Sequence, residues 1–268
     1  MNAAPTSAEA GGARPSPLAL AGAAWRDLVR DGAIFVRLAL VPFVWMAATG
    51  IFFETYVPFG TAGWFRALHV LSDAAGILLL MPTATAWHRL VVLGRDHPQA
   101  RLSYAFRRDE WRYFLRSLTL FALMIGIWLM VLLALGVANL VFGMPMPSQG
   151  SAGFRLVLQP FVLVLCLALL APRFLVLPAA AIGGAEPIDL LRARARRAHW
   201  PVVFALLLVF APWLVVAAAV QRALQASPAL ASVPLALLQL AMIAASLGVL
   251  SHAYLAIGAP PPGAAADG

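Results

Sequence analysis

Six stretches of this chain, at 33–53, 67–87, 118–141, 156–181, 202–220 and 233–257, are each about twenty residues of mostly apolar side chains. Together they hold only three formally charged residues, Arg37, Asp73 and Arg173. A helix rises 1.5 Å per residue, so about 20 residues cover the roughly 30 Å of bilayer hydrocarbon. In that layer no water is present to bond exposed amides and carbonyls, so a spanning segment is either a helix or a strand of a closed barrel. None of the six stretches shows the strict two-residue alternation of a barrel strand. The expected fold class is therefore all-α: a polytopic membrane bundle of about six transmembrane helices, arranged as three hairpins. Residues 18–258 form its single membrane domain, flanked by an Ala/Gly/Ser/Pro-rich tail at 1–17 and a second tail at 259–268. The apolar stretch at 18–24 is too short for a signal-peptide core and is followed at once by Trp25-Arg26-Asp27, so no cleaved signal is expected.

Composition agrees. Hydrophobic residues make up 62% of the 268 and charged residues only 11%, against about 25% charged in a soluble domain. That leaves too little charge for a polar coat. All nineteen Lys/Arg positions are arginine, a usage that points to a GC-rich bacterial genome. A pI near 11.1 can signal nucleic-acid binding, but these arginines flank apolar spans, so anionic lipid is the expected counterpart and no nucleic acid is. The single cysteine, Cys166, lies in an apolar run and reads as a packing residue.

Arginine also sets the orientation. Fifteen of the nineteen lie before the first span (Arg14, Arg26, Arg30) or just inside it (Arg37), or at the two loops that follow the second and fourth spans; three lie on the opposite side, at Arg66, Arg155 and Arg222, and Arg173 lies within a span. Both termini are thus expected in the cytoplasm. Trp64, Trp87, Trp111 and Trp200 fall at span ends, where amphipathic indoles favour the membrane interface. Prolines at 42, 82, 160, 172, 178 and 212 interrupt several spans. Each removes one helical hydrogen bond, and neighbouring helices in a membrane can satisfy the freed carbonyl, so kinks and not breaks are expected.

The two long basic loops align without a gap. Pro98…Leu102…Arg107-Arg108…Trp111 matches Pro187…Leu191…Arg196-Arg197…Trp200 as P-x3-L-x4-R-R-x2-W, and the stretch from Trp25 to Arg30 is a weaker third copy. This repeat predicts that each hairpin is entered through a short basic amphipathic helix on the membrane surface. Arg107, Arg108, Arg196 and Arg197 are then candidates for holding anionic lipid headgroups, the alternative being that they set topology alone.

The segment Ala86-Trp87-His88-Arg89-Leu90-Val91-Val92-Leu93-Gly94, together with Ala171-Pro172-Arg173-Phe174-Leu175-Val176-Leu177-Pro178 and the three alanines after it, resembles a large group of bacterial multi-span inner-membrane proteins. That group is distantly similar to the membrane domain attached to some glycerophosphodiester phosphodiesterases. The resemblance implies a six-helix bundle in a bacterial inner membrane. It implies no reaction, and no polar stretch here is long enough to hold the phosphodiesterase's catalytic domain.

Few polar groups fall inside the spans. His69 and Asp73 share a helix face four residues apart and suit a proton relay or half of a metal site, but no matching pair exists elsewhere. Thr83 and Thr85 in the second span lie at the depth of Ser251 and His252 in the sixth. Helix packing accounts for such groups most simply. Arg173 is expected to face the bundle at that same depth, bonded to uncharged groups and proline-freed carbonyls and not to Asp73. No catalytic signature, metal-ligand spacing or cofactor motif is present. The expected function is a non-enzymatic scaffold or accessory subunit that meets anionic lipid or a membrane-protein partner at the cytoplasmic face. The alternative is a small transporter or channel.

Overall fold

The computed structural model describes residues 15–56, 63–100, 107–142, 158–184 and 188–258. The side chains of Gln159, Arg192, Arg197 and 188–190 lie outside that description, as do residues 1–14 and 259–268, Arg101, Arg155, Glu186 and Pro187. Among the described residues all regular structure is helical: α1 Pro17–Arg30, α2 Gly32–Thr55, α3 Gly63–Leu93, α4 Arg108–Phe142, α5 Gln159–Phe174, α6 Val176–Ala181, α7 Ile188–Ala195, α8 His199–Ala223 and α9 Pro228–Ala256. Two short 3-10 turns, Pro98–Ala100 and Arg196–Ala198, complete the set.

Five of these helices, α2, α3, α4, α8 and α9, are long and apolar enough to cross a membrane. The sequence pattern places one continuous helix at 156–181, but the structure divides it into α5 and α6 at Leu175. Pro178 explains the division, because it cannot donate to the Phe174 carbonyl four residues earlier. Elsewhere the prolines behave as expected: α2, α3 and α8 run on through Pro42, Pro82 and Pro212.

Three helices stop the same way. Gly94 after α3, Gly183 after α6 and Gly258 after α9 have φ of 90°, 73° and 67°, the left-handed conformation in which glycine terminates helices without a Cβ penalty.

Packing is uneven along the bundle. Every residue from Met81 to Leu90 at the end of α3 is buried, as is nearly all of α9 from Ala244 to Tyr254. The opposite halves of the long helices show large apolar side chains outward, among them Val70, Leu71, Leu133, Leu140 and Val215. Lipid suits such surfaces; water does not.

Trp87 is a correction to the interfacial reading. It is fully buried, packs edge-on to Phe35 with centroids 5.1 Å apart, and its indole N–H donates to the Ala244 carbonyl at 2.9 Å. Trp64, Trp111 and Trp200 are exposed.

The short entry helices also differ from expectation. α1 does not lie alone on a surface but packs along α9. Ala24 meets Gly248, where an added Cβ would come within 3.0 Å of the Ala24 Cβ, and Asp27 meets His252. Both contacts advance in the same direction, so α1 lies parallel to the end of α9. In the first basic loop, Arg108 and Trp111 belong to the opening turn of α4 itself. In the second, α7 precedes a 3-10 turn containing Arg196, and Trp200 opens α8. The arginine pair and the tryptophan of each copy therefore stand at the start of the long helix that follows.

Candidate functional site

The described polar groups concentrate where the C-terminal ends of α1, α3, α6 and α9 meet the start of α4. At its centre is Arg89, a residue outside the set that sequence reasoning singled out. Its side chain is 7% exposed, its Nη1 lies 2.8 Å from Glu110 Oε1, and its Nε donates to the Ala181 carbonyl at 2.6 Å. Asp109 adds a longer contact at 3.6 Å. One guanidinium thus joins α3, α4 and α6. Glu110 is as deeply buried as Arg89, so the pair replaces lost hydration with mutual attraction and shared hydrogen bonds. The acidic residues also lie in the first turn of α4, where the helix dipole favours negative charge.

Beside this pair, His88 Nδ1 lies 2.8 Å from Ser251 Oγ, and Ser251 also donates back to the Leu247 carbonyl at 2.9 Å. The His88 ring approaches Tyr113 at 5.6 Å. His88 Nε2 and Glu110 Oε2 are buried without a hydrogen-bond partner among the described residues.

A second cluster ties α1 to its neighbours. His252 Nε2 lies 2.6 Å from Asp27 Oδ2, and Arg30 reaches Asp27 at 3.0 Å and Asp31 at 2.9 Å. Arg95, in the turn after α3, also pairs with Asp31 and donates to the Arg30 carbonyl at 3.2 Å. The pKa of Arg30 is raised, first by its hydrogen bond to Asp31 and then by the Asp27 and Asp31 charges, with burial opposing.

The threonines act on the backbone. Thr83 Oγ1 donates to the Leu38 carbonyl at 2.7 Å. That carbonyl is free because its usual donor, four residues on, is Pro42. Thr85 bonds back to the Met81 carbonyl of its own helix at 2.5 Å. Thr83, Thr85, Ser251 and His252 do share one end of the bundle, as their depth predicts, but none of them meets Arg173.

Arg173 itself is exposed, which overturns the expectation that it faces the bundle. The buried face of α5 runs through Leu167, Ala171 and Leu175. Val162 and Cys166, eleven and seven residues earlier and so on nearly the same side as Arg173, are buried too, so α5 is covered on that side lower down and Arg173 emerges only at its last turn. It makes no ion pair with Asp73.

His69 and Asp73 lie 4.0 Å apart with side chains 55% and 72% exposed, and His69 stacks on Phe53 at 4.3 Å. Among the described residues no three His, Cys, Asp or Glu side chains gather as a metal site. Arg107, Arg108 and Arg196 are exposed.

Comparison with known proteins found no matching family model, no matching curated protein and no matching solved structure.

Proposed function

We propose that this chain is a bacterial inner-membrane protein crossing six times as three hairpins, with α5 and α6 together making the fourth crossing and both termini in the cytoplasm. It acts as a non-enzymatic scaffold or accessory subunit that contacts anionic lipid, or a membrane-protein partner, at its basic face. The observation that supports this reading is where charge is spent. Arg89 with Glu110, Arg95 with Asp31 and His252 with Asp27 are spent in joining helices, while Arg107, Arg108 and Arg196 at the same end are exposed. Outward arginines at a membrane surface attract anionic headgroups by about 1 kcal/mol each.

Native mass spectrometry of the protein released from its own membrane tests this. Anionic lipid or a defined protein should copurify, and changing Arg107, Arg108, Arg196 and Arg197 together to Gln should reduce the lipid carried. Retention of neither by the wild type would refute the reading.

One observation favours the alternative of a small transporter. A cavity of about 340 Å³ opens between α2, α3 and α9, lined by Thr49, Ser72, Asp73 and Gln239 beside Trp45. Ionisable groups that line cavities at membrane depth mark solute or proton paths. Solute flux into proteoliposomes that is lost in Asp73→Asn supports this reading; equal flux in the variant counts against it.

A further inference from the structure

A cavity bearing charge lies apart from the arginines of the two long loops, between α1 and the end of α9. It measures about 660 Å³, and its lining mixes Ala23, Trp25 and Val29 with Arg26, Arg30 and His252. Asp27 also lines it, but that carboxylate is already taken: His252 holds one oxygen at 2.6 Å and Arg30 the other at 3.0 Å. Asp31 is likewise held, by Arg30 and Arg95. Arg30, Arg95 and His252 thus take up both carboxylates, and Arg26 is the guanidinium left without one.

Arg26 is exposed and ion-pairs with no described carboxylate. Its Nη1 folds back over Gly22, 3.4 Å from where a Cβ there would lie. The guanidinium therefore lies along α1 at the cavity wall instead of extending away.

Position adds to charge. Because α1 runs parallel to the end of α9, its segment before Ala24 points toward the apolar half of the bundle, while Arg26 and Arg30 lie level with His252. The cavity thus sits where hydrocarbon gives way to charge, with an indole and apolar side chains beside cations in its lining. A phosphodiester carrying one negative charge and an acyl chain matches both kinds of group.

We propose that this cavity is a headgroup site for an anionic glycerophospholipid, its phosphate held by Arg26 and its apolar part against Trp25 and Val29. The proposal deepens the reading that the basic face contacts anionic lipid, and rests on it.

The test compares wild type with Arg26→Gln in nanodiscs made either of phosphatidylcholine alone or of phosphatidylcholine mixed with phosphatidylglycerol, and reads lipid retained after transfer to detergent by native mass spectrometry. Wild type should retain phosphatidylglycerol, and Arg26→Gln should bind it about fivefold more weakly, the effect of one basic residue near a surface. Arg26→Lys should recover part of that loss. The variant with Gln at 107, 108, 196 and 197 should keep the tightest phosphatidylglycerol adduct.

If wild type retains phosphatidylglycerol but Arg26→Gln retains as much, this site is overturned while the broader reading stands on the loop arginines. If wild type shows no preference for phosphatidylglycerol, the reading that the basic face contacts anionic lipid fails as well. Displacement of the adduct by millimolar inorganic phosphate would overturn the lipid assignment in favour of a free-phosphate site.

Discussion

Replacing Arg89 by Met should be the most destabilising single change at the basic end. The substitution conserves much of the side-chain length but removes the guanidinium that lies 2.8 Å from Glu110 and 2.6 Å from the Ala181 carbonyl. Glu110, 2% exposed at its side chain, would be left buried without its countercharge. Breaking a buried pair from one side costs about 3–5 kcal/mol. Polar contacts between membrane helices average only about 0.6 kcal/mol, because separated helices in lipid find other partners. Here the smaller figure does not apply, since both residues lie near helix ends and reach water once the helices part. Glu110→Gln should cost less, about 1–3 kcal/mol, because Arg89 keeps Asp109 and the Ala181 carbonyl. The double variant should cost less than the sum of the two by about 0.5–3 kcal/mol. Equilibrium unfolding in mixed micelles of rising dodecyl sulfate fraction, followed by tryptophan fluorescence, measures all three; Trp87 is buried two residues from Arg89. An Arg89→Met variant within about 0.5 kcal/mol of wild type, or strictly additive variants, would refute the ion-pair account.

Thr83→Val should cost about 1 kcal/mol in the same assay. Adding Pro42→Ala should return part of it, since the backbone amide at 42 would again serve the Leu38 carbonyl; no recovery would mean that Thr83 does not act through that carbonyl. Gly248→Val should cost about 1–3 kcal/mol by overpacking against Ala24. It should also speed tryptic cleavage after Arg26 and Arg30, whereas unchanged cleavage would place α1 elsewhere. Arg173→Leu should stay within about 0.5 kcal/mol of wild type, and a large loss would restore Arg173 to the bundle interior.

The apolar stretches were legible because membrane length and composition act on each segment alone. Which side of a helix faces inward was not. Arg89 and Arg173 stand in like sequence surroundings, yet one is buried and the other exposed. The difference lies in what packs at each helix end: Glu110 and the Ala181 carbonyl cover Arg89, whereas Arg173 is exposed although Val162 and Cys166 on its own side of α5 are buried. A signal for Arg89 was present in the acidic pair Asp109-Glu110, set among arginines just where α4 begins. Asp27 and Asp31 carried the same signal near α1. Glu110, Asp27 and Asp31 each join helices through an arginine or histidine, whereas Asp96 in the loop before α4 is exposed, so a charge-sign outlier marks a candidate joint and not a certain one. Trp87 shows the opposite limit: its position at a span end suited the interface, but a carbonyl of α9 took its N–H inside the core. The division at Leu175 was readable only as a proline effect of unknown size, because whether Pro178 bends or stops a helix depends on what packs against it.

The account's central claim, six crossings with the basic end in the cytoplasm, is tested most directly by thiol accessibility. Cys166 is the sole native thiol and is buried, so a Cys166→Ser background accepts single cysteines at Gln99, Ser148, Asp189 and Ala226. Impermeant maleimide added to intact cells or to inverted vesicles should label positions 99 and 189 only from the cytoplasmic side, and 148 and 226 only from the other. Labelling of 148 from the cytoplasm, or any loss of that alternation, would contradict the claim and remove the basis for reading the arginine-rich end as a lipid-facing cytoplasmic surface.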